Sequence, residues 1–137
     1  MTLLNQTHYE LVKGLLNEAF PQPAKRRWTD KNLRTKLATD IFYGLFSDHK
    51  LIAVYAFRCD SPGDVAYLYG VCVDRKFRGQ GFGRHIVDVA TERVSMLSCI
   101  LHLEITERRA IEWYLRKGFK PYHYQTDAVW MVRYPAK

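Results

Sequence analysis

The stretch Val71-Cys72-Val73-Asp74-Arg75-Lys76-Phe77-Arg78-Gly79-Gln80-Gly81-Phe82-Gly83-Arg84-His85 limits what this chain can fold into more than any other. A β-branched run, a basic loop with alternating glycines, and apolar residues at Ile86, Val87, Ala90 and Val94 predict strand, turn and helix in that order. Gly79, Gly81 and Gly83 lack Cβ atoms, so the backbone there can take positive φ and approach a ligand closely. Successive N–H groups can then face one concavity, backed by the positive end of the following helix. Such a concavity binds anions, and a diphosphate fits it. Arg75, Lys76, Arg78 and Arg84 add positive charge around the same loop. Two common nucleotide motifs are disfavoured: the third glycine comes one residue too early for Gly-x-Gly-x-x-Gly, and no Lys-Ser/Thr pair follows as a P-loop requires. The plain alternative is a tight connection whose glycines serve only the turn, although a turn needs one or two glycines and no flanking arginines.

Helix and strand patterns surround this turn. Leu3 and Leu4 form at most a stub of a first strand. Thr7-His8-Tyr9-Glu10 has the form of a capping box, and Leu11, Val12, Leu15, Leu16, Ala19 and Phe20 follow at helical spacing. Pro21 and Pro23 end that helix, Lys25-Arg26-Arg27 lies in the next loop, and Thr29 or Asp30 caps a second short helix bearing Leu33, Leu37 and Ala38. From Ile41 the period changes to two. Ile41 to Phe46 and Leu51 to Arg58 form a hairpin about Ser47-Asp48-His49-Lys50, and a turn at Asp60-Ser61-Pro62-Gly63 leads into a strand from Val65 to Val73. The central helix runs roughly from Phe82 to Leu97. Cys99 to Ile105 alternates as a strand, with Leu101, Leu103 and Ile105 on one face and His102 and Glu104 on the other. Thr106 caps a last helix that stops at Gly118, and Phe119 to Gln125 and Val129 to Tyr134 close a hairpin near Thr126-Asp127.

With 137 residues, nearly half of them apolar, the chain is expected to form one domain over 1–137 and to bury roughly two thirds of its unfolded surface. No apolar run approaches a membrane span and the N-terminus lacks a basic-then-apolar signal, so no membrane partner and a cytoplasmic location are expected. Cys59, Cys72 and Cys99 make neither a Cys-x-x-Cys pair nor an even set, against both a disulfide framework and a zinc site. The five histidines lack His-x-x-x-His spacing, so no metal is expected. A formal net charge of +7 attracts anions of every kind, from nucleic acid to phosphorylated coenzymes.

Arg78-x-x-Gly81-x-Gly83, following Val71-Cys72-Val73, resembles the acetyl-CoA-binding signature Arg/Gln-x-x-Gly-x-Gly/Ala of the GNAT superfamily of N-acyltransferases. Glu107-Arg108-Arg109-Ala110-Ile111-Glu112-Trp113-Tyr114-Leu115-Arg116-Lys117-Gly118-Phe119 resembles the family's later Asn-x-x-Ala-Ile-x-x-Tyr-x-x-x-Gly-Phe segment, in matching order and separation. The resemblance implies an α+β fold: a central mixed, mostly antiparallel sheet flanked by about four helices, in the order short β-α-α-β-β-β-α-β-α-β-β. It implies acetyl-CoA as donor, held along its pantetheine arm by the main chain of Val71, Cys72 and Val73, and at its diphosphate by Arg78, Gly79, Gln80, Gly81, Phe82, Gly83 and Arg84. The reaction implied is direct attack of a primary amine in a ternary complex.

Acetyl transfer from a thioester to an amine needs an unprotonated amine, stabilisation of the oxyanion and a proton for the departing thiolate. The resemblance puts Tyr114 beside the coenzyme sulfur; the other reading is a helix tyrosine packed with Trp113 and Leu115. Many relatives carry a glutamate on the strand entering the glycine loop, where this chain has Val65; others place one twelve residues before the tyrosine, where it has His102. A histidine near pKa ~6.5 accepts a proton at neutral pH, directly or through water, and a hydrogen-bonded structural histidine is the alternative. Glu104, or a water held by Tyr67 or Tyr69, stands in reserve. Glu107 occupies the place of the family's coenzyme-contacting asparagine, and its carboxylate would repel phosphates.

In the family the early helices and their loop shape the acceptor pocket; Trp28, Phe42, Tyr122, Tyr124 and Trp130 are candidates to line it, the favoured alternative for each being core or surface packing. The acceptor stays open between a small-molecule amine, a protein N-terminus or lysine, and aminoacyl-tRNA, for which Lys25-Arg26-Arg27 and the net charge give weak support, since such charge runs are more often a solvated face than a nucleic-acid site. A coenzyme-binding module without catalysis is a further option, motivated by the missing strand glutamate. Relatives pair through their closing strands, so the resemblance admits a homodimer.

Overall fold

The computed structural model describes residues 1–19, 29–59, 65–104, 108–126 and 128–135; for residues 19, 30, 102–104, 108 and 109 it describes the backbone alone. Seven strands are present among these residues: β1 (Thr2–Leu3), β2 (Ile41–Ser47), β3 (Lys50–Cys59), β4 (Val65–Val73), β5 (Ser98–Glu104), β6 (Lys120–Tyr124) and β7 (Ala128–Arg133). They form one sheet in the order β1-β2-β3-β4-β5-β7-β6, antiparallel throughout except between β4 and β5. A parallel pair needs a crossover from the end of one strand to the start of the next. The glycine loop and α3 (Phe82–Arg93) supply it. The remaining helices, α1 (Tyr9–Ala19), α2 (Asp30–Thr39) and α4 (Arg108–Arg116), complete the expected α+β order.

Two apolar layers sandwich the sheet. On one side Ile86, Val87 and Ala90 of α3 and Tyr114 of α4 pack with Tyr55, Phe57, Leu68, Leu101 and Met131. On the other, Val12 and Leu16 of α1 and Leu33 and Leu37 of α2 pack with Phe42, Val54, Ala56 and Cys72. β3 feeds both, because Leu51 to Phe57 are buried without a break. The expected alternation therefore fails at β3: a strand covered on both faces needs a continuous apolar run. Each such Leu, Ile or Phe contributes roughly 1.5–3 kcal/mol on burial.

Local ends follow side-chain chemistry. Asn5, not Thr7, starts the first helical segment: its side chain accepts from the Thr7 N–H at 2.9 Å, and its own N–H donates to His8 Nδ1 at 3.0 Å. The chain passes through a 3-10 turn at Gln6–His8 before α1. Asparagine outranks threonine as a cap, which explains the shift. Thr29 caps α2, with Oγ1 accepting from the Asn32 N–H at 3.3 Å. α3 stops short of Leu97, in turns closed by Ser95 N–H to Glu92 C=O and Leu97 N–H to Val94 C=O. Gly118 takes φ +94 after α4, and the Phe119 N–H reaches back to the Tyr114 C=O at 3.1 Å, a left-handed C-cap. The turn expected at Asp60–Gly63, the Lys25-Arg26-Arg27 loop, Ile105, Thr106 and Asp127 lie outside the described residues. Among the described residues, no helix is long and apolar enough to cross a membrane.

The thiols differ sharply in environment. Cys72 and Cys99 are buried, and burial pushes the Cys99 thiol up to about 12 and that of Cys72 well above the usual thiol range, whereas Cys59 is exposed. The thiolate is the reactive form. A chromogenic disulfide reagent at pH 8 should therefore titrate one thiol quickly in the native protein and the other two only on adding denaturant; three fast thiols would contradict this packing.

Candidate active site

The parallel ladder between β4 and β5 pairs Val65 with Ser98, Ala66 with Cys99, Tyr67 with Ile100 and Leu68 with Leu101, and stops there. β4 nevertheless continues along β3 as far as Val73, and β5 along β7 as far as Glu104. The sheet thus forks, with one arm beginning at Tyr69 and the other at His102. The cause lies in β4. Gly70 has φ +64, and the β3–β4 register shifts between Val54 and Ala56, so two β4 residues oppose Tyr55. An extra residue of this kind bends a strand and increases its twist. It also reverses the alternation: Leu68 and Val73 face the α3/α4 layer, while Tyr69 and Cys72 face the α1/α2 layer. The β4 arm from Tyr69 to Val73 is left without a β5 partner, and such main chain can accept an extended ligand as an added strand.

At the end of that arm the chain is pinned. Asp74 is buried; its N–H donates to the Ile52 C=O at 2.7 Å, its Oδ1 accepts from the Lys76 N–H at 2.9 Å, and its Oδ2 lies 3.4 Å from Lys50 Nζ. The Lys76 amide hydrogen bond, helped by Lys50, holds this carboxyl below the usual carboxylate range. A 3-10 turn over Arg75–Phe77 follows, and Arg78 folds back so that its Nε donates to the Val73 C=O at 2.9 Å. Gly79 and Gly81 then take φ +81 and +87.

Gly81 is the N-cap of α3 and makes no side-chain capping bond, so no capping side chain competes for the N–H groups of the first helical turn. No acidic residue stands in that turn, and Arg84 does. The arrangement suits an anion on electrostatic grounds. One expectation needs correction: only two of the three loop glycines adopt positive φ. Gly83 belongs to α3, and a Cβ there would meet only Val73 Cγ2, at 3.9 Å.

The catalytic candidates are distributed around the fork. Tyr114 on α4 is 5% exposed, its ring edge-on to Trp113 and Phe119 at centroid distances of 4.9 and 5.6 Å. It shares the α3/α4 layer with Val73 and Leu101, so the ring is a core element whatever else it does. His102 is the first β5 residue beyond the last β4 pair, opposite Trp130 of β7. The side chains of His102 and Glu104, and Glu107 entirely, lie outside the described residues. Tyr67 carries the Arg58 guanidinium 4.5 Å above its ring, and the Tyr69 hydroxyl donates to the Asp40 carboxylate.

Of the acceptor candidates, Phe42 is buried edge-on to Tyr69, Trp130 is partly buried, Tyr122 and Tyr124 are exposed on the outer strand β6, and Trp28 lies outside the described residues. Sequence reasoning missed Gly70 and Asp40. A lone glycine within a strand pattern signals a bulge. The contact of Asp40 with a residue 29 positions away left no local trace.

The sequence profile of the acetyltransferase (GNAT) family matches residues 6–119, from before α1 through the fork and the glycine loop to the end of α4. The chain belongs to this family. An uncharacterised N-acetyltransferase of Halalkalibacterium halodurans is 34% identical over 96 residues, 63% of this chain and 53% of that protein, so the match spans about half of the relative's length. Among solved structures, the PaiA N-acetyltransferase of Thermoplasma acidophilum in complex with coenzyme A shares the fold at TM-score 0.77 and 14% identity, over 98% of this chain and 99% of that one. The ribosomal-protein-S18-alanine N-acetyltransferase of Escherichia coli shares it at TM-score 0.79 and 21% identity, over 99% of this chain and 93% of that one.

The loop glycines should separate on substitution. Gly81→Ala puts a side chain at φ +87 and should cost about 1–2 kcal/mol, while Gly83→Ala, in the helix, should be neutral or gain up to ~1 kcal/mol; urea midpoints in the reverse order would refute the loop conformation. The depressed Asp74 carboxyl predicts a pH signature. Its folded pKa lies below its unfolded value, so its stabilisation is complete above the unfolded pKa near ~3.9 and is lost as pH falls through the folded pKa. The gap in urea midpoint between the parent and Asp74→Asn should hold steady from pH 7 to 5 and close in more acidic solution; a gap unchanged at pH 3 would exclude this role.

Proposed function

We propose that this chain is a cytoplasmic, single-domain N-acetyltransferase that moves the acetyl group of acetyl-CoA to a primary amine of a small molecule or a protein. The observation carrying this reading is the β4 arm, unpaired on the β5 side, running into two left-handed glycines and a helix N-terminus without a capping side chain, in a chain of the GNAT family. Amides and cations from Arg78 to Arg84 would hold the diphosphate, with Arg78 tying the loop to β4 through Nε. Main-chain groups of Val71, Cys72 and Val73 would pair with the pantetheine arm, and an N–H there would polarise the acetyl carbonyl. Bound acetyl-CoA supplies the thioester whose carbonyl carbon the amine attacks.

His102, on the opposite arm, takes up the amine proton directly or through water. Tyr114 donates its hydroxyl proton to the departing sulfur. Val65, where many relatives carry a glutamate, favours one competing reading, a coenzyme-binding module without turnover. The Escherichia coli neighbour, named for an alanine of a ribosomal protein, keeps a protein acceptor beside a small amine; the net charge of +7 keeps an aminoacyl-tRNA in view. The exposed Tyr122 and Tyr124 on β6 offer a face for a homodimer.

Calorimetry with coenzyme A, followed by thiol-release assays with acetyl-CoA over a panel of amines, peptides and aminoacyl-tRNA, tests the proposal. Tyr114→Phe should lower kcat by about 10²-fold or more while coenzyme affinity stays within a few-fold, and His102→Ala should lower the rate most near neutral pH. Absence of coenzyme A affinity in folded protein would overturn the assignment, and affinity without turnover on any acceptor would favour the non-catalytic module.

A further inference from the structure

Tyr69 is the first β4 residue past the last β4–β5 pair, and Gly70, directly after it, carries the left-handed φ that bends the strand. Its hydroxyl donates to the carboxylate of Asp40, the C-cap of α2, whose own N–H donates to the Lys36 C=O at 2.7 Å. Lys36 Nζ lies 5.1 Å from the Tyr69 ring centroid, and Phe42 meets that ring edge-on at 5.9 Å. The last turn of α2, its cap and the start of β2 thus converge on one side chain where the sheet divides. Burial, and after it Asp40, push the phenol well above its ordinary range, so it remains a donor at any working pH. Elsewhere α2 packs against α1 and the 3-10 turn before it, inserting Leu33 and Leu37 into the layer below.

We propose that Tyr69 is a positioning residue for acetyl transfer: held by Asp40, it fixes the C-terminal end of α2 against the fork on the α1/α2 side of the sheet, where it limits the access of bulk water to the reacting atoms. Tyr69 acts through α2 rather than on the reacting atoms. The inference rests on the fork being the acetyl-CoA site. A hydrogen bond to a carboxylate, joining residues 29 positions apart at the point of divergence, fixes the orientation of α2 over the core that Leu33 and Leu37 fill.

The test compares Tyr69→Phe, Asp40→Ala, Asp40→Asn and the Tyr69→Phe/Asp40→Ala double variant with the parent. Amide hydrogen exchange over residues 36–40 should be at least tenfold faster in Tyr69→Phe and Asp40→Ala. It should stay within about threefold of the parent in Asp40→Asn, which keeps an acceptor oxygen, and be no faster in the double variant than in either single one. Calorimetric affinity for coenzyme A should stay within twofold, while release of free thiol from acetyl-CoA without any amine should rise at least threefold as water gains access.

Unchanged exchange, unchanged acetyl-CoA hydrolysis, or a rise in hydrolysis matched by loss of coenzyme affinity would each overturn the proposal. A parent protein with no affinity for coenzyme A would defeat the reading of the fork itself, a result separate from the exchange data, which alone judge whether Tyr69 and Asp40 hold α2.

Discussion

The structure turns on where one ladder of hydrogen bonds ends. β4 and β5 form the only parallel pair of strands among the described residues, and they part after Leu68 and Leu101. Had the ladder run on, the sheet would be seamless and its backbone groups satisfied within the protein. One extra residue at Gly70 prevents this: it bends β4 and re-aims its side chains while β3 keeps hold of the strand beyond the bulge. Backbone N–H and C=O groups withheld from a sheet seek partners. A gap of this kind therefore selects for a ligand with amide groups of its own.

The glycine loop serves the fork only because its position relative to β4 is fixed by short-range bonds. Asp74 joins the strand end to Ile52 and Lys50 on β3, and Arg78 returns to the carbonyl of Val73. An arginine that both braces the loop and carries charge beside it explains why a loop flanked by cations needs no large ordered segment to hold its shape. The two left-handed glycines set direction, aiming α3 back across the sheet so that Ile86, Val87 and Ala90 bury against the strands it links. Candidate anion site and parallel crossover are thus one construction, since the turn that enables the crossover also presents the helix N-terminus at the strand end.

This explains what could be seen in the sequence. The strand, loop and helix from Val65 to Arg93 were legible because each is encoded locally, by β-branched runs, glycine spacing and helical period, and the family resemblance rested on that same stretch. Gly70 is a local signal of the bulge, but the apolar pattern on either side of it reads as one continuous strand. The choice of Asn5 over Thr7 as first cap was also a local matter, decided by which side chain reaches the free amides. β3 misled in another way, because period two describes a strand with one wet face and β3 has none. The Tyr69–Asp40 contact was not legible at all: it depends on α2 lying across the sheet, a fact of packing that no window of sequence contains.

The same packing bears on the proton-donor role proposed for Tyr114. A tyrosine 5% exposed, wedged between Trp113 and Phe119 in the layer that also holds Val73 and Leu101, cannot reorient without disturbing the packing beneath the fork. Core burial is usually set against a catalytic role, yet for a proton donor it is an asset, since a ring fixed by its neighbours loses no rotational freedom on reaching the transition state. The left-handed cap at Gly118 reinforces this, turning the chain sharply so that Phe119 returns against the ring it helps to hold. The proposed chemical role is compatible with the packed one for this residue because the layer that stabilises the sheet also lies beneath the place where the sheet divides.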